Sequence, residues 1–312
     1  MVIDPLERTG PLRIGTRGSP LALAQAHEVR DRICKAFTLD KDQFEIVVIK
    51  VAGDMMQDRP LNALGGKGLF TREIEDALLD GEIDMAVHSM KDMPVEQPDG
   101  LYLNCFLPRE DPRDAFVSLK YDRLADLPQG AVVGTSSVRR RAQLLAARPD
   151  LQVVEFRGNV QTRLRKLEEG VADATLLAMA GLNRLGRADV VREAIDPEVM
   201  LPAVGQGVIG VEYRWEDEES EYLLEGISDY DTSTRLAAER AFLEALDGSC
   251  QTPIAALAEL LPDDTVRLRG QILRPDGSAS FADELTGSVE DVDALGDILA
   301  KRLLRLAGPG FF

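Results

Sequence analysis

Short apolar runs alternate with amphipathic stretches twice along the first 210 residues of this 312-residue chain. Strand, loop and helix in repeated order are typical of α/β units, whose strands lie parallel in one sheet. The second series begins after a turn-rich stretch near residues 106–113, so we expect two α/β domains. The predicted strands are 12–15, 44–51, 84–87, 131–133, 151–156 and 174–179, and the predicted helices are 21–37, 69–79, 138–147 and 160–169.

A different pattern follows the acidic segment 216–225. The sequence predicts a helix over 232–246, short antiparallel strands within 254–290 and a closing helix over 292–305. Strands grouped together between two helices indicate an α+β arrangement. We therefore expect a third domain at the C-terminal end.

The charge balance excludes general nucleic-acid binding as a function. The chain has 54 acidic and 36 basic residues, a net charge of −18, whereas nucleic-acid binding needs a basic footprint.

No apolar run approaches the ~20 residues of a membrane span, and the first residues lack the pattern of a signal peptide. Three cysteines without CxxC spacing predict neither a disulfide scaffold nor a zinc site. We expect a cytoplasmic protein that binds no membrane and no metal.

One segment of this acidic chain is basic. Residues 130–188 contain ten bases against five acids. A solvated helix face is the simplest explanation of such a segment. Its position in the second α/β series leaves a binding surface open as an alternative.

Three predicted strand-to-helix turns carry arginine and hydroxyl residues, at 16–19, 135–140 and 157–159. Helix N-termini bind anions because their N–H groups are free and their dipole end is positive. Arginine binds carboxylates through two parallel hydrogen bonds. A single such turn is explained by helix capping, but three turns of one design predict a ligand with several carboxylates or phosphates.

Two further segments are candidates for chemistry. Lys91 and Asp92 follow a buried strand, where a carboxylate can stabilise a developing cation or exchange protons. A turn before Pro94 is the alternative for Asp92, and packing is the alternative for His88. Lys67 lies in a glycine-rich stretch that suits a mobile lid or an ordinary loop.

The glycines at 205–210 match GxGxxG, but a strand-like run follows them and not a helix. We therefore reject a dinucleotide site and assign these glycines to tight turns. Cys34 and Cys105 lie within apolar patterns typical of buried cysteines. Cys250 lies in a loop between glycine, serine and proline residues, where a thiolate could form a covalent bond.

Together these segments resemble the porphobilinogen deaminase (hydroxymethylbilane synthase) family, from Arg13 to about Leu260. Several ordered motifs at consistent separations carry the resemblance, and the tail after about Asp263 carries little of it. The motifs are IGTRGSPLALAQA at 14–26, GGKGLF at 65–70, AVHSMKDMP at 86–94, VGTSSVRRRAQL at 133–144, FRGNV at 156–160, AGLNRLG at 180–186, LPAVGQG at 201–207 and GSCQTPIAA at 248–256.

The resemblance implies a fold of two periplasmic-binding-protein-like (type II) α/β domains flanking a crevice, plus a C-terminal α+β domain. These would comprise residues 1–107 with 204–226, residues 108–203, and residues 227–312 with the cofactor-attachment cysteine. It implies a monomeric transferase that joins four porphobilinogen molecules head to tail into hydroxymethylbilane and releases ammonia at each step. The implied primer is a dipyrromethane cofactor bound through a thioether to Cys250, where Ser249 stands in place of the usual glycine.

The resemblance also implies a role for each matching residue. Asp92, with Lys91, would be catalytic and would stabilise the azafulvenium formed as ammonia leaves. The implied cofactor-binding residues besides Cys250 are Lys91, Asp92, Thr135, Ser136, Ser137, Arg139 and Arg140. The implied substrate-binding residues are Arg17, Ser19, Lys67, Arg157, Arg163, Arg184 and Gln206.

Two other functions remain as alternatives at this point. One is a non-catalytic or signalling anion-binding protein of the same two-lobed fold. A secreted solute receptor of this kind would need an export signal and would have no use for a reactive loop cysteine. The other is an aldol- or Schiff-base enzyme that uses Lys91 or Lys67. Borohydride trapping with substrate would reveal the second alternative.

Overall fold

The computed structural model describes residues 10–55, 71–248 and 252–311, in three β-sheets flanked by helices. Lys67 and Cys250 lie outside these described residues. The strands are β1 (Leu12–Arg17), β2 (Phe44–Ile49), β3 (Met85–Ser89), β4 (Leu101–Phe106), β5 (Asp114–Ser118), β6 (Val132–Gly134), β7 (Gln152–Val154), β8 (Ala174–Ala178), β9 (Glu193–Ala194), β10 (Ile209–Arg214), β11 (Ile254–Leu261), β12 (Thr265–Leu273) and β13 (Ser280–Ser288). The helices are α1 (Pro20–Phe37), α2 (Ala52–Met55), α3 (Arg72–Leu79), α4 (Val138–Ala147), α5 (Val160–Glu168), α6 (Met179–Arg184), α7 (Glu218–Glu225), α8 (Tyr230–Ala245) and α9 (Val292–Ala307).

The described residues form two compact units. The first contains residues 10–55, 71–109 and 208–233, and the second contains residues 110–207, 234–248 and 252–311. The C-terminal sheet lies in the second unit. The division into three domains stays a prediction.

The first unit is built on a five-stranded sheet in the order β2-β1-β3-β10-β4. Helix α1 packs on it because Ala26, Val29 and Ile33 recur at helical spacing and are fully buried. Their contacts include Leu12 and Ile14 of β1. Burial of an isoleucine side chain of this kind contributes about 1.5–3 kcal/mol to folding. This packing fixes the first strand-to-helix turn on the sheet.

The second unit contains a five-stranded sheet with an equivalent order, β7-β6-β8-β5-β9. In each sheet four strands run in one direction and the fourth strand of the order, β10 or β5, runs antiparallel to both neighbours. The strands predicted for each series, β1 to β3 and β6 to β8, run parallel to one another as expected. The expected α/β class of the first 210 residues and the expected α+β arrangement of the C-terminal part are confirmed.

The C-terminal part consists of the antiparallel sheet β11-β12-β13 and the helices α8 and α9. Phe242 of α8 and Leu299 of α9 are fully buried in one cluster with Leu268 of β12. Gly296 brings the two helices into close contact, because a Cβ at this position would lie 2.6 Å from the backbone nitrogen of Phe242. The predicted helix–strands–helix order is confirmed.

No helix within the described ranges is long and apolar enough to cross a membrane.

We expect Gly296→Ala to destabilise the C-terminal part. Alanine is favoured in a helix by about 1 kcal/mol, but the added Cβ would meet the backbone of α8, which cannot move aside as a side chain can. Overpacking of this kind costs about 1–3 kcal/mol. The measurement is the free energy of unfolding in urea.

Gly10→Ala is the matched control, since no atom lies within 4 Å of a Cβ added there. Its free energy of unfolding should stay within about 0.5 kcal/mol of the parent value. A Gly296→Ala variant as stable as this control would contradict the close packing of α8 on α9.

Candidate functional site

The first strand-to-helix turn lies at the carboxyl end of β1. The hydroxyl oxygen of Ser19 accepts a hydrogen bond from the Ala22 N–H at 3.2 Å, as predicted for an N-cap, and Pro20 begins α1. The buried Thr16 hydroxyl donates to the Ala22 carbonyl at 3.3 Å. Arg17, the last residue of β1, is half-buried. These two hydrogen bonds connect the turn to the first turn of α1, and Arg17 lies at the sheet edge.

Lys91 and Asp92 lie in a short 3-10 turn that directly follows β3. Since β3 runs parallel to β1 as its neighbour, this turn and the Arg17–Ser19 turn share one edge of the sheet. The Met90 N–H donates to the Val208 carbonyl at 3.0 Å, which ties the turn to the segment before β10. Both Lys91 and Asp92 are half-buried. The first unit therefore brings four predicted site residues to one sheet edge.

A buried contact between a histidine and a carboxylate lies next to this turn, and sequence reasoning did not find it. His88 Nε2 lies 2.9 Å from Glu212 Oε2, and both side chains are buried. Burial raises the pKa of the nearby Glu75, and the negative charge of Glu212 raises it further. His88 is therefore a paired core residue, the packing alternative considered for it from the sequence.

The second turn, at 135–140, follows β6 in the second unit. Ser137 caps α4, its hydroxyl oxygen accepting from the Arg140 N–H at 3.4 Å. Thr135 is buried, and its hydroxyl oxygen accepts from the Ser137 N–H at 3.2 Å. The Ser136 hydroxyl oxygen accepts from the Phe156 N–H at 3.1 Å, which connects this turn to the segment after β7. All three hydroxyls therefore shape the backbone of the turn.

Arg139 and Arg140 are buried beside a carboxylate that the sequence did not point out, Asp114. Arg139 Nη1 donates to Asp114 Oδ2 at 2.7 Å, and Arg140 Nη2 donates to Oδ1 at 2.7 Å. Burial by itself would raise the pKa of Asp114, but the two guanidiniums hold that pKa well below its usual range. Burial lowers the pKa of Arg139, an effect that Asp114 opposes. Asp114 thus stays ionised between two cations.

Gln206 is also buried, in the turn before β10 that Gly205 and Gly207 permit with φ angles of +68° and +92°. Its side-chain nitrogen donates to the Pro112 carbonyl at 2.7 Å and to Asp114 Oδ1 at 2.9 Å. Strand β10 follows this turn, in agreement with the rejection of a dinucleotide site. The substrate contact proposed for Gln206 stays a prediction.

The remaining arginines lie at the same edge of the second sheet, at the ends of β7 and β8. Asn159 caps α5, and Arg163 Nε donates to the Gly158 carbonyl at 2.9 Å. Arg184, the last residue of α6, donates to the Gly207 carbonyl at 3.1 Å. Arg157, Arg163 and Arg184 are all half-buried. The second unit thus brings these three arginines of the basic segment to the edge that carries Arg139 and Arg140.

The donors in the second unit fit a ligand that carries carboxylates, such as dipyrromethane. Arg139 Nε is buried and has no hydrogen-bond partner among the described residues. An unpaired buried donor costs free energy that an anionic acceptor would recover. Within the described part of the chain, no three His, Cys, Asp or Glu side chains cluster so as to hold a metal ion.

The fold and the site together define the class of protein, an α/β protein that suits a ligand with several carboxylates. It has two sheets of equivalent strand order, and arginine and hydroxyl side chains lie at the strand ends. Family models give the particular family, "Porphobilinogen deaminase, dipyromethane cofactor binding domain" matching residues 12–222 and "Porphobilinogen deaminase, C-terminal domain" matching residues 233–305. The porphobilinogen deaminase of Paracoccus denitrificans (strain Pd 1222) is 64% identical over 302 residues, which are 97% of this chain and 96% of that protein. The chain belongs to the porphobilinogen deaminase family.

Solved structures show a weaker likeness. The periplasmic VFT2 domain of BvgS from Bordetella pertussis has a TM-score of 0.41 and 15% identity, over 74% of this chain and 92% of that one. A nutrient binding protein from Burkholderia cenocepacia bound to methionine has a TM-score of 0.42 and 13% identity, over 74% and 94%. Likeness at this level carries no argument about function.

Cys34 and Cys105 should resist alkylation in the folded protein. Both are buried, and burial raises the pKa of Cys105 to about 12 and raises that of Cys34 as well. Near pH 8, Cys105 would then be thiolate in a fraction of about 10⁻⁴. Iodoacetamide treatment followed by peptide mass mapping should leave both unmodified, whereas both react after unfolding. Rapid labelling of either thiol in the folded protein would contradict this assignment.

Proposed function

We propose that this protein polymerises four porphobilinogen molecules head to tail into hydroxymethylbilane, with release of ammonia, on a covalently attached dipyrromethane. The observation that carries this function is the 64% identity to a porphobilinogen deaminase over 97% of the chain. The protein is a transferase of tetrapyrrole biosynthesis. The arginine-rich strand ends of the second unit support the same function, because the substrate and the cofactor both carry carboxylates.

The cofactor would be held by residues at the second turn and by the 91–92 turn. When bound, dipyrromethane supplies the primer to which the first porphobilinogen is joined. Cys250 would carry it through a thioether, and Ser249 is small enough to leave that attachment possible. Thr135, Ser136 and Ser137 would shape the turn around its acidic side chains. Arg139 and Arg140 would pair with those carboxylates, with Lys91 as a further cation.

Asp92 would be the catalytic carboxylate. It lies at the sheet edge directly after β3, on a turn held by the hydrogen bond between Met90 and Val208. A carboxylate there would accept hydrogen bonds from pyrrole N–H groups. It would also stabilise the positive charge that develops on the substrate as ammonia leaves.

Incoming substrate and the growing chain would be bound by a second group of residues. Each porphobilinogen adds two carboxylates, so the number of anionic groups rises with every step. Several arginines at different positions meet this need better than one. The group comprises Arg17, Ser19, Lys67, Arg157, Arg163, Arg184 and Gln206.

We further infer a cytoplasmic monomer that binds neither nucleic acid nor membrane. The net charge of −18 disfavours binding to polyanions. Cys34 and Cys105 are buried free thiols, which fits a reducing compartment.

Asp92→Ala should lower kcat by about 100-fold or more, the range expected when a positioned catalytic group is lost. The fold should persist because Asp92 is only half-buried and the 90–92 turn is held by backbone hydrogen bonds. Asp99→Ala, at an exposed aspartate of the same unit, is the matched control and should keep near-normal turnover. Near-normal turnover in Asp92→Ala would remove this residue from its role.

Cys250→Ala should yield protein without a covalent cofactor. The intact mass of the purified parent protein should exceed the sequence mass by an adduct of two pyrrole units, and the variant should show the sequence mass alone. Ehrlich's reagent gives a parallel test, since it colours the parent and not the variant. A dipyrrole still attached to Cys250→Ala would show that another residue carries it.

A further inference from the structure

Asp114 occupies a special place in the second sheet. It is the first residue of β5, and the antiparallel register pairs it with Ala178, the last residue of β8. It therefore lies at the edge where the parallel strands β6, β7 and β8 end. Its side chain is fully buried. A buried carboxylate is tolerated only when it is paired and hydrogen-bonded, so its partners show what it does.

Four donors from three residues converge on this carboxylate. Oδ2 accepts from Arg139 Nη1 at 2.7 Å. Oδ1 accepts from Arg140 Nε at 3.1 Å, from Arg140 Nη2 at 2.7 Å and from Gln206 Nε2 at 2.9 Å. Two guanidiniums that would otherwise repel each other thus have fixed orientations around one anion.

The two arginines are held in different ways. Arg140 uses Nε and Nη2 on Asp114 and Nη1 on the Leu176 carbonyl at 2.8 Å. Arg139 uses Nη1 for both Asp114 and the Leu201 carbonyl, the latter also at 2.8 Å. Its Nε has no partner among the described residues, although it is buried. Arg139 is therefore held through Nη1 alone. The protein fixes the direction of its Nε–H group but supplies no acceptor for it.

The charge count of this cluster points to a ligand. One carboxylate between two guanidiniums leaves one positive charge in excess, which an anionic ligand would balance. Hydrophobic residues can often replace a buried ion pair without loss of stability. A net positive, pre-oriented cluster at the strand ends fits the binding of an anionic group better than a purely structural role.

We propose that Asp114 is a positioning residue that holds the guanidiniums of Arg139 and Arg140 in the orientation in which they receive the carboxylates of the cofactor. This inference rests on the proposed function, in which those two arginines bind dipyrromethane. Asp114 contacts the two arginines and Gln206, and this role requires no contact between Asp114 and the ligand. Without it the two cations would turn away from each other, and covalent loading of the cofactor would slow.

Asp114→Asn tests this inference because it keeps the size of the side chain and removes its charge. The amide would present a donor to one guanidinium in place of an acceptor. Two quantities are measured by intact mass: the fraction of purified protein that carries the two-pyrrole adduct, and the rate at which the unloaded fraction gains it with porphobilinogen. We expect that rate to fall about tenfold or more, the order of effect that a misplaced binding group produces.

Asp150→Asn is the matched control. Asp150 pairs with Arg148 in the same unit at 2.7 Å, but this pair is partly exposed and lies away from Asp114 in the hydrogen-bond network. Its loading rate should stay within about twofold of the parent. Circular dichroism and thermal unfolding confirm that both variants are folded at the loading temperature.

The Arg139→Gln variant distinguishes a failure of the positioning role of Asp114 from a failure of the binding role of Arg139. If Arg139→Gln loads slowly while folded Asp114→Asn loads at the parent rate, the positioning role of Asp114 is overturned and the proposed function stands. If Arg139→Gln also loads at the parent rate, the binding role of Arg139 is wrong.

If the Asp114→Asn protein does not fold, a chemical rescue of Asp114→Ala tests the proposal in its place. Asp114→Ala is refolded from urea with either formate or formamide, which have similar shapes and differ in charge. Loading that recovers with formate and not with formamide supports the role of the carboxylate. Loading that recovers with neither, in protein that has refolded, overturns it.

Discussion

The carboxylate of Asp114 accepts hydrogen bonds from two neighbouring guanidiniums and one amide in a region that excludes water. Removal of this carboxylate would leave two buried positive charges without their partner, which is strongly destabilising. The start of α4, the beginning of β5 and the turn before β10 all meet at this carboxylate. The buried carboxylate of Asp114 therefore organises the basic end of the second sheet, although the sequence of the basic segment 130–188 draws attention to its cations.

The first unit also brings candidate site residues to one edge of its sheet, with fewer buried charges to hold them. Its candidate residues Arg17, Ser19, Lys91 and Asp92 follow neighbouring parallel strands, and backbone hydrogen bonds hold both turns. The buried side chains of His88 and Glu212 are in contact next to the turn that carries Asp92. Both sheets thus present candidate site residues at their strand ends. The supporting contacts lie one layer deeper, between strands far apart in the chain.

Local signals predicted a large part of this structure. Ser19, Ser137 and Asn159 each precede a helix and cap it, because a side-chain oxygen beside free N–H groups needs no distant partner. The helix Val138–Ala147 and the helix–strands–helix order of the C-terminal part were predicted correctly. The strands β4 and β5 were not predicted, and both lie beside the turn-rich boundary stretch. Their antiparallel or edge pairing depends on segments far away in the sequence.

The sequence by itself determined the secondary structure around each candidate turn and the kinds of residue found there, because capping, periodicity and charge act over a few positions. The tertiary structure decided which charges are neutralised and which remain available to a ligand. Asp114 lies 25 residues from Arg139 and 92 from Gln206 along the chain. No local pattern connects them, and only the folding of β5 between β8 and β9 removes this carboxylate from water and leaves the two guanidiniums as its partners.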